Sequence, residues 1–185
     1  MKKAICAMLC VLLALSLSSC GMEPLLPEPS ESASSFTDQI SLYEDAVTEL
    51  SEVSYDCLIS KTEFFRPDGA GDYVGIFVQN MEDKSIFPYD GQAVKALLSG
   101  GGKLIDKINR DDMTLISFSL CIPGRSYDYG YYYCSEGKPV YLGDPAQELT
   151  PDKTGFSYTK NTSFGTGVTY YTEQLSDFFF YYEIT

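Results

Sequence analysis

The sequence predicts an α+β fold, in which an N-terminal amphipathic helix and further short helices pack on a mainly antiparallel sheet. Apolar residues recur at helical spacing near the start of the aromatic-rich region, at residue 36. From residue 112 onward, the chain is a series of short β-rich runs separated by Gly- and Asp-rich turns. Short strands that follow a helix in this way are typical of an antiparallel sheet with helices on one face.

Helices are predicted in three places, the first of them over residues 36–53. Its apolar positions, at steps of four and three, are Phe36, Ile40, Tyr43, Val47 and Leu50. Ser35 is a suitable N-cap, because a short side-chain oxygen accepts a hydrogen bond from the first helical turn. A second helix is predicted over residues 90–98, where three consecutive glycines end it, and a third over 103–109.

Residues 55–79 are predicted to form a β-hairpin. The turn signal is the sequence Arg-Pro-Asp-Gly-Ala-Gly at 66–71, and the residues that follow it, 72–78, are β-rich. The helical periodicity also continues through Cys57, so the alternative for residues 55–65 is a longer helix.

Six strands are predicted after residue 112. They cover residues 114–122, 127–134, 139–142, 156–160, 168–172 and 178–184. All aromatic residues, 15 Tyr and 11 Phe, lie between Phe36 and Tyr182. Residues 36–185 are therefore interpreted as one globular domain.

Composition excludes several classes of function. The chain contains 13 Lys and Arg against 26 Asp and Glu, for a formal net charge of −13, and it has no His. Without His there is no Ser-His-Asp or Cys-His catalysis and no His-ligated zinc. A chain this acidic repels nucleic acid, whose binding depends on Lys and Arg contacts to phosphate. We therefore predict no nucleic-acid partner, no cofactor or metal site, and a protein that is not an enzyme.

The first twenty residues have the organisation of an export signal. Two lysines at positions 2 and 3 precede an uncharged apolar run over residues 4–15. This run is too short to span a bilayer, which takes about 20 apolar residues, but it suits the apolar region of a signal peptide. Leu17-Ser18-Ser19-Cys20 then resembles the lipobox of bacterial lipoprotein precursors, which consists of an aliphatic residue, two small residues and a cysteine.

The resemblance implies that the peptide before Cys20 is removed and that the Cys20 thiol is lipidated, with acyl chains such as palmitate. Two or more acyl chains, at about 0.8 kcal/mol per buried methylene, anchor a protein stably. The protein would then lie on the extracytoplasmic face of the cell membrane. The alternative is an ordinary signal peptide cut near Ser19, with Cys20 a plain thiol.

The predicted organisation has three parts. Residues 1–19 are the lipoprotein signal peptide. Residues 20–35 comprise the lipidated cysteine and a tether rich in Pro, Ser and Glu, a composition that favours a solvated and fairly stiff spacer. Residues 36–185 form the globular domain.

Three cysteines remain for disulfide formation once Cys20 is lipidated: Cys57, Cys121 and Cys134. If residues 114–122 and 127–134 form a hairpin centred near residue 127, Cys121 lies opposite Cys134. Opposed residues of a non-hydrogen-bonded pair have Cα atoms about 4.5 Å apart, near the lower limit for a disulfide. A bridge between Cys121 and Cys134 is therefore predicted. The alternatives are a bridge through Cys57, or three buried thiols that pack as small apolar side chains.

Tyrosines alternate along the strand predicted over 127–134. Tyr127, Tyr129, Tyr131 and Tyr133 lie two residues apart, so all four share one face of the strand. Because Tyr is enriched at interfaces, we predict that this face is exposed and contacts a glycan or a cell-surface protein. The alternative is an inert Tyr-rich face of the sheet.

Three further segments are similar to uncharacterised surface lipoproteins of Gram-positive gut bacteria. They are Tyr131-Tyr132-Tyr133, Lys138-Pro139-Val140-Tyr141 and Tyr170-Tyr171-Thr172-Glu173. This resemblance brings no known activity with it. The sequence thus predicts a membrane-anchored extracytoplasmic lipoprotein whose domain is a ligand- or protein-binding module. The alternatives are a carboxylate-based glycan hydrolase, and a structural or inhibitory protein of the cell envelope.

Overall fold

The computed structural model describes residues 34–61, 75–110, 112–121, 127–161 and 167–185. Its described part is dominated by a ten-stranded antiparallel sheet, accompanied by the short helices α1 (Ile40–Ser51) and α2 (Gln92–Ser99). The predicted α+β class is wrong, because the fold is mainly β.

Part of this error lies in residues 103–109, which are predicted to be helical. They belong to strand β4 (Leu104–Arg110), where the buried side chains of Ile105 and Lys107 alternate with less buried ones. Short apolar runs fit helix and strand periodicity almost equally well. In this case the pairing of β4 with strands on both sides decides the conformation.

The strands run antiparallel to all their neighbours in the sheet. Their bounds are β1 Cys57–Lys61, β2 Ile76–Asn80, β3 Ile86–Pro88, β4 Leu104–Arg110, β5 Met113–Ser119, β6 Asp128–Cys134, β7 Thr150–Asp152, β8 Gly155–Asn161, β9 Gly167–Gln174 and β10 Phe179–Ile184. Their order across the sheet is β3-β2-β1-β4-β5-β6-β10-β9-β8-β7. β1 pairs with β2, so the hairpin predicted over 55–79 is confirmed, while its turn at 66–71 lies outside the described residues.

The two helices cover one face of the sheet, called here the helix face. α1 buries Tyr43, Ala46 and Leu50, and α2 buries four apolar residues from Ala93 to Leu98. Below them lie side chains from alternate positions of six strands, including Ile59, Ile105, Ile116, Phe118, Tyr131 and Tyr181. Because residues paired across an antiparallel sheet share a face, this alternation continues from β2 to β10.

The opposite side of the sheet, called here the far face, has its own core. It contains the buried side chains of Leu115, Tyr132, Cys134, Val140, Tyr170, Phe180 and Tyr182. Residues 139–142, predicted as a strand, instead form a loop over this core. The Val140 N–H donates to the Tyr132 hydroxyl at 3.1 Å, and the Tyr170 hydroxyl donates to the Val140 carbonyl at 2.8 Å. The hydroxyls of Tyr132 and Tyr170 therefore satisfy the backbone N–H and carbonyl of Val140, as a neighbouring strand would do.

Two charged side chains join the helices to the rest of the fold. Lys107 of β4 is 3% exposed, and its ammonium group donates to the Leu50 carbonyl at 2.9 Å and to the Val53 carbonyl. It thus satisfies carbonyls at the end of α1, where a positive charge is favourable. At the start of α2, the Glu49 carboxylate accepts hydrogen bonds from the N–H groups of Ala93 and Val94. α1 is therefore held to both β4 and α2.

Candidate functional site

The four tyrosines predicted as an exposed face lie in or just before β6. Tyr131 is only 3% exposed, and Tyr129 and Tyr133 pack partly buried against the helix-face core. The prediction of a solvent-exposed surface is therefore wrong for this face. The reason is that α1 and the segment just before it cover β6: the rings of Phe36, in that segment, and Tyr43, in α1, lie 5.1 and 5.3 Å from that of Tyr131. Tyr127, which precedes β6, is half-buried.

The predicted disulfide fails because the register of β5 and β6 differs from the one expected. Cys134 lies opposite Leu115, and the same register continued to the end of the hairpin sets Cys121 opposite Asp128. The two cysteines are thus six residues apart along the strands, or roughly 20 Å at about 3.3 Å per residue. No bridge joins them. The Cys121 thiol instead donates to the Asp128 carboxylate at 2.9 Å.

The third cysteine, Cys57, is buried on the helix face, where it pairs across the sheet with Lys107. Burial raises the pKa of the Cys57 thiol to about 12, although the nearby charge of Lys107 acts in the opposite direction. A thiol that stays protonated is a poor nucleophile and a poor metal ligand. Cys57 therefore packs as a small apolar side chain.

Cys20, the predicted lipidation site, and the whole of residues 1–33 lie outside the described residues. Of the helices in the described ranges, none is both long and apolar enough to cross a membrane.

A cavity of about 170 Å³ opens on the helix face between α1, the end of α2 and the adjoining ends of β4 and β5. Ser35 and Gln39 line it from the residues just before α1, and Leu97 and Leu98 from α2. Glycines that follow α2 form part of the rim. Every described residue that lines this cavity is uncharged. The cavity is therefore neutral inside a strongly acidic protein.

Tyr43 lines this cavity from α1. Its side chain is 4% exposed, and its ring meets the rings of Phe118 and Tyr131 edge to face, at 5.1 and 5.3 Å between centroids. Burial raises the pKa of Tyr43 well above its ordinary value, so the phenol stays neutral. Its hydroxyl has no hydrogen-bond partner in the part of the chain that the structure describes.

The position of this hydroxyl follows from the rest of the hydrogen bonding. Among the described residues, no fully enclosed side-chain oxygen or nitrogen lacks a partner. The Tyr43 oxygen is therefore accessible to solvent-sized molecules, and the cavity is the opening that Tyr43 lines. The neighbouring Tyr131 hydroxyl differs, because it forms a hydrogen bond with the Ser35 side chain.

Two carboxylates lie together on the far face, where β1 and β4 pair. Asp106 is in β4, and the β1–β4 register, continued by one residue, places Asp56 opposite Ile108. Asp56 and Asp106 are therefore diagonal neighbours, whose Cα atoms lie about 7–8 Å apart. Burial, with a smaller effect of the Asp56 charge, raises the pKa of Asp106 to about 6. Burial also acts to raise the pKa of Asp56, but hydrogen bonds from Asn109 and Arg110 outweigh it and lower that pKa.

This difference between two neighbouring carboxyl groups is the pattern of a general acid beside an ionised partner. However, both oxygens of Asp56 are engaged, one by the Asn109 N–H at 2.7 Å and the other by the Arg110 guanidinium at 2.9 Å. The described cavity lies elsewhere, on the helix face. Asp56 therefore acts first as a structural acceptor that fixes the end of β4.

A second polar cluster lies on the far face beside the hairpin of β5 and β6. The Tyr182 hydroxyl is 2.7 Å from the Ser119 hydroxyl and 3.5 Å from the Asp128 carboxylate, which also accepts from Cys121. Burial raises the pKa of Asp128, although these hydrogen bonds act to lower it. Across the described ranges, no group of three or more Cys, Asp or Glu side chains is arranged to hold a metal ion.

Sequence reasoning assigns Tyr43 to the buried stripe of the first helix and does not single it out. No pattern in the sequence distinguishes a buried tyrosine with a partner from one whose hydroxyl faces a cavity. Asp106 has a weak signal, since it is an acid between Ile105 and Lys107 in a strand-length run that also contains Leu104 and Ile108.

Compared with protein-family models, with curated proteins and with solved structures, the chain has no significant match in any of the three. Its function is therefore inferred from its own residues.

Proposed function

We propose that this chain is a bacterial lipoprotein, anchored through Cys20 to the extracytoplasmic face of the cell membrane, and that its β-sheet domain is a binding module and not an enzyme. The leader carries the proposal, because each position of Leu17-Ser18-Ser19-Cys20 is filled as in a lipobox. The cavity beside Tyr43 supports the binding role, since its wall is assembled from both helices and the sheet.

The tether suits a domain held near a membrane. Removal of residues 1–19 takes away two lysines and no acid, which changes the net charge from −13 to −15. Anionic headgroups repel such a domain, and residues 21–33, which precede the described part of the chain, extend at most roughly 43 Å at about 3.3 Å per residue. The same charge favours a neutral or cationic partner over an anionic one.

The anchor is tested by Cys20→Ala in a bacterial host that processes lipoproteins. We expect the wild-type chain to incorporate a labelled fatty acid and to partition into detergent, and Cys20→Ala to lose both properties and to retain its leader. Cys10→Ala, in the same leader, is the matched control and should behave as the wild type. Normal processing of Cys20→Ala without any lipid on the wild-type chain would contradict the anchor.

The binding role is tested by filling the cavity. Leu120 lines it and is half-buried, while Leu142 is half-buried in the far-face core. We expect native mass spectrometry of protein purified from the producing host to show a bound small molecule on the wild type and on Leu142→Trp, but not on Leu120→Trp. The same spectrum for all three proteins would count against the cavity as the binding site.

A second candidate, a carboxylate-based glycan hydrolase, is favoured by the pair Asp56 and Asp106. Asp106 would be the general acid, because its carboxyl holds a proton up to a pH of about 6. Release of reducing ends from peptidoglycan fragments by the wild type, and its loss in Asp106→Asn but not in Asp83→Asn, would establish this activity. A wild type without any such release would exclude it for these substrates.

A further inference from the structure

We infer that the cavity beside Tyr43 takes a neutral, ring-sized molecule that carries a hydroxyl group, with the size and polarity of phenol. This inference rests on the proposed binding function and gives the ligand class of the same site. Three features of the cavity lead to it: its volume, its apolar and aromatic wall, and the hydroxyl of Tyr43.

The volume limits the ligand to a single ring. A cavity of about 150 Å³ with an apolar lining holds one benzene molecule, whereas sites for drug-sized ligands have volumes of about 300–1,000 Å³. The cavity here, at about 170 Å³, exceeds the benzene-sized case by little more than one polar group. Peptides, oligosaccharides and long acyl chains are therefore too large to lie wholly within it.

The wall favours an aromatic ring over a chain. Leu97, Leu98 and Ile105 supply aliphatic surface, and the rings of Tyr43 and Phe118 meet at an interplanar angle of 81°. Aromatic rings attract one another in such edge-to-face arrangements, which contribute about 0.5–1.5 kcal/mol beyond the area they bury. A further ring therefore gains contacts that an alkyl group of equal size does not make.

The Tyr43 hydroxyl defines the polar part of the ligand. The Tyr43 hydroxyl faces the cavity without a partner among the described residues, so a ligand oxygen at hydrogen-bond distance can take the place of solvent there. Because Tyr43 is neutral and the described lining is uncharged, nothing in the wall compensates a buried carboxylate or ammonium. The ligand group that meets Tyr43 is therefore a hydroxyl and not an ionised group.

The test is a titration of the chain from residue 20 to residue 185, with Cys20→Ser so that no detergent is needed. Phenol, benzene and benzoate are the probes, and backbone amide chemical shifts are the measurement. We expect phenol to shift the amides of Tyr43, Leu98 and Phe118 saturably, benzene to do so more weakly, and benzoate not to do so.

Tyr43→Phe separates the hydroxyl from the ring. It removes a group without a partner, so the fold is retained, and we expect phenol to bind about tenfold more weakly while benzene binds as before. Leu120→Trp should abolish phenol binding and Leu142→Trp should preserve it. Equal binding of phenol by Tyr43→Phe and wild type, or benzoate binding as tight as that of phenol, would overturn the inference.

The remaining outcomes separate the ligand class from the binding function. Suppose that phenol gives no saturable shift while native mass spectrometry still shows a small molecule bound to the wild type and not to Leu120→Trp. In that case the ligand class is wrong and the cavity remains a binding site. If neither is observed, both the inference and the proposed binding role are refuted.

Discussion

The carboxyl group of Asp106 lies at a half-buried position where its charged form is unfavourable. Burial and the negative charge of Asp56 raise its pKa to about 6, from an ordinary value of 3.8. Above a pH of about 6 the folded protein therefore contains a half-buried carboxylate, which the unfolded chain would hydrate freely. This difference in pKa corresponds to at most ~3 kcal/mol, and partial exposure to solvent reduces it to ~1–2 kcal/mol.

Asp106→Asn should therefore stabilise the protein in a pH-dependent way. Between about pH 4 and pH 6 the folded state binds more protons than the unfolded state, so the wild type loses stability as the pH rises through this window. We expect the variant to unfold with a free energy ~1–2 kcal/mol higher than wild type at pH 8 and nearly unchanged at pH 4, by urea denaturation. Asp112→Asn, at an exposed position just before β5, is the control. A gain in the stability of Asp106→Asn that does not depend on pH would show that packing, and not charge, is responsible.

At the scale of the element, β6 is a strand with both faces covered. Tyr131 points to the helix face and Tyr132 to the far face, and they are 3% and 0% exposed. β5 and β10 flank β6 on its two edges. Its aromatic rings therefore stabilise two cores at once, and its backbone connects them.

Tyr131→Ala should lower the free energy of unfolding by about 3–5 kcal/mol, because it removes a large buried ring from beneath α1. Tyr127→Ala, at the half-buried position before the strand, should change it by no more than about 1 kcal/mol. Thermal and urea unfolding of the two variants measure the difference. If both variants lost only a similar, small amount of unfolding free energy, the result would favour an exposed tyrosine face after all.

The particular elements show what sequence alone can predict. Period-two spacing suffices to place Tyr129, Tyr131 and Tyr133 on one face of β6, but it does not say whether that face is covered. The cover comes from α1, which is about eighty residues away in the chain. The hairpin of β5 and β6 is predicted too, but its register depends on a turn whose residues fit several lengths. An error of a few residues in that turn is enough to separate Cys121 from Cys134.

At the scale of the whole molecule, the described cysteines lie in separate places. Cys57 is in the helix-face core, Cys134 is in the far-face core, and Cys121 lies at the end of the β5–β6 hairpin beside Asp128. Within the described residues, the fold therefore does not rely on a disulfide between these three cysteines.

The chain from residue 20 to residue 185 should accordingly unfold at the same temperature with and without dithiothreitol. Loss of a native bridge from a domain of this size lowers stability by about 2–5 kcal/mol, a shift that a thermal scan resolves readily. Mass mapping of non-reduced peptides is the complementary measurement. A peptide pair linking Cys121 to Cys134 would mean that the β5–β6 register is wrong.

β10 lies between β6 and β9, so within the described sheet it is the one connection between the block β1–β6 and the block β7–β9. Its pairing with β6 spans the 44 residues from Ser135 to Phe178, a non-local contact of the kind that slows folding. Until β10 is in place, β6 and β9 each present an unpaired edge that invites aggregation. Docking of this one strand therefore converts two half-sheets into one continuous sheet and closes both of those edges at once.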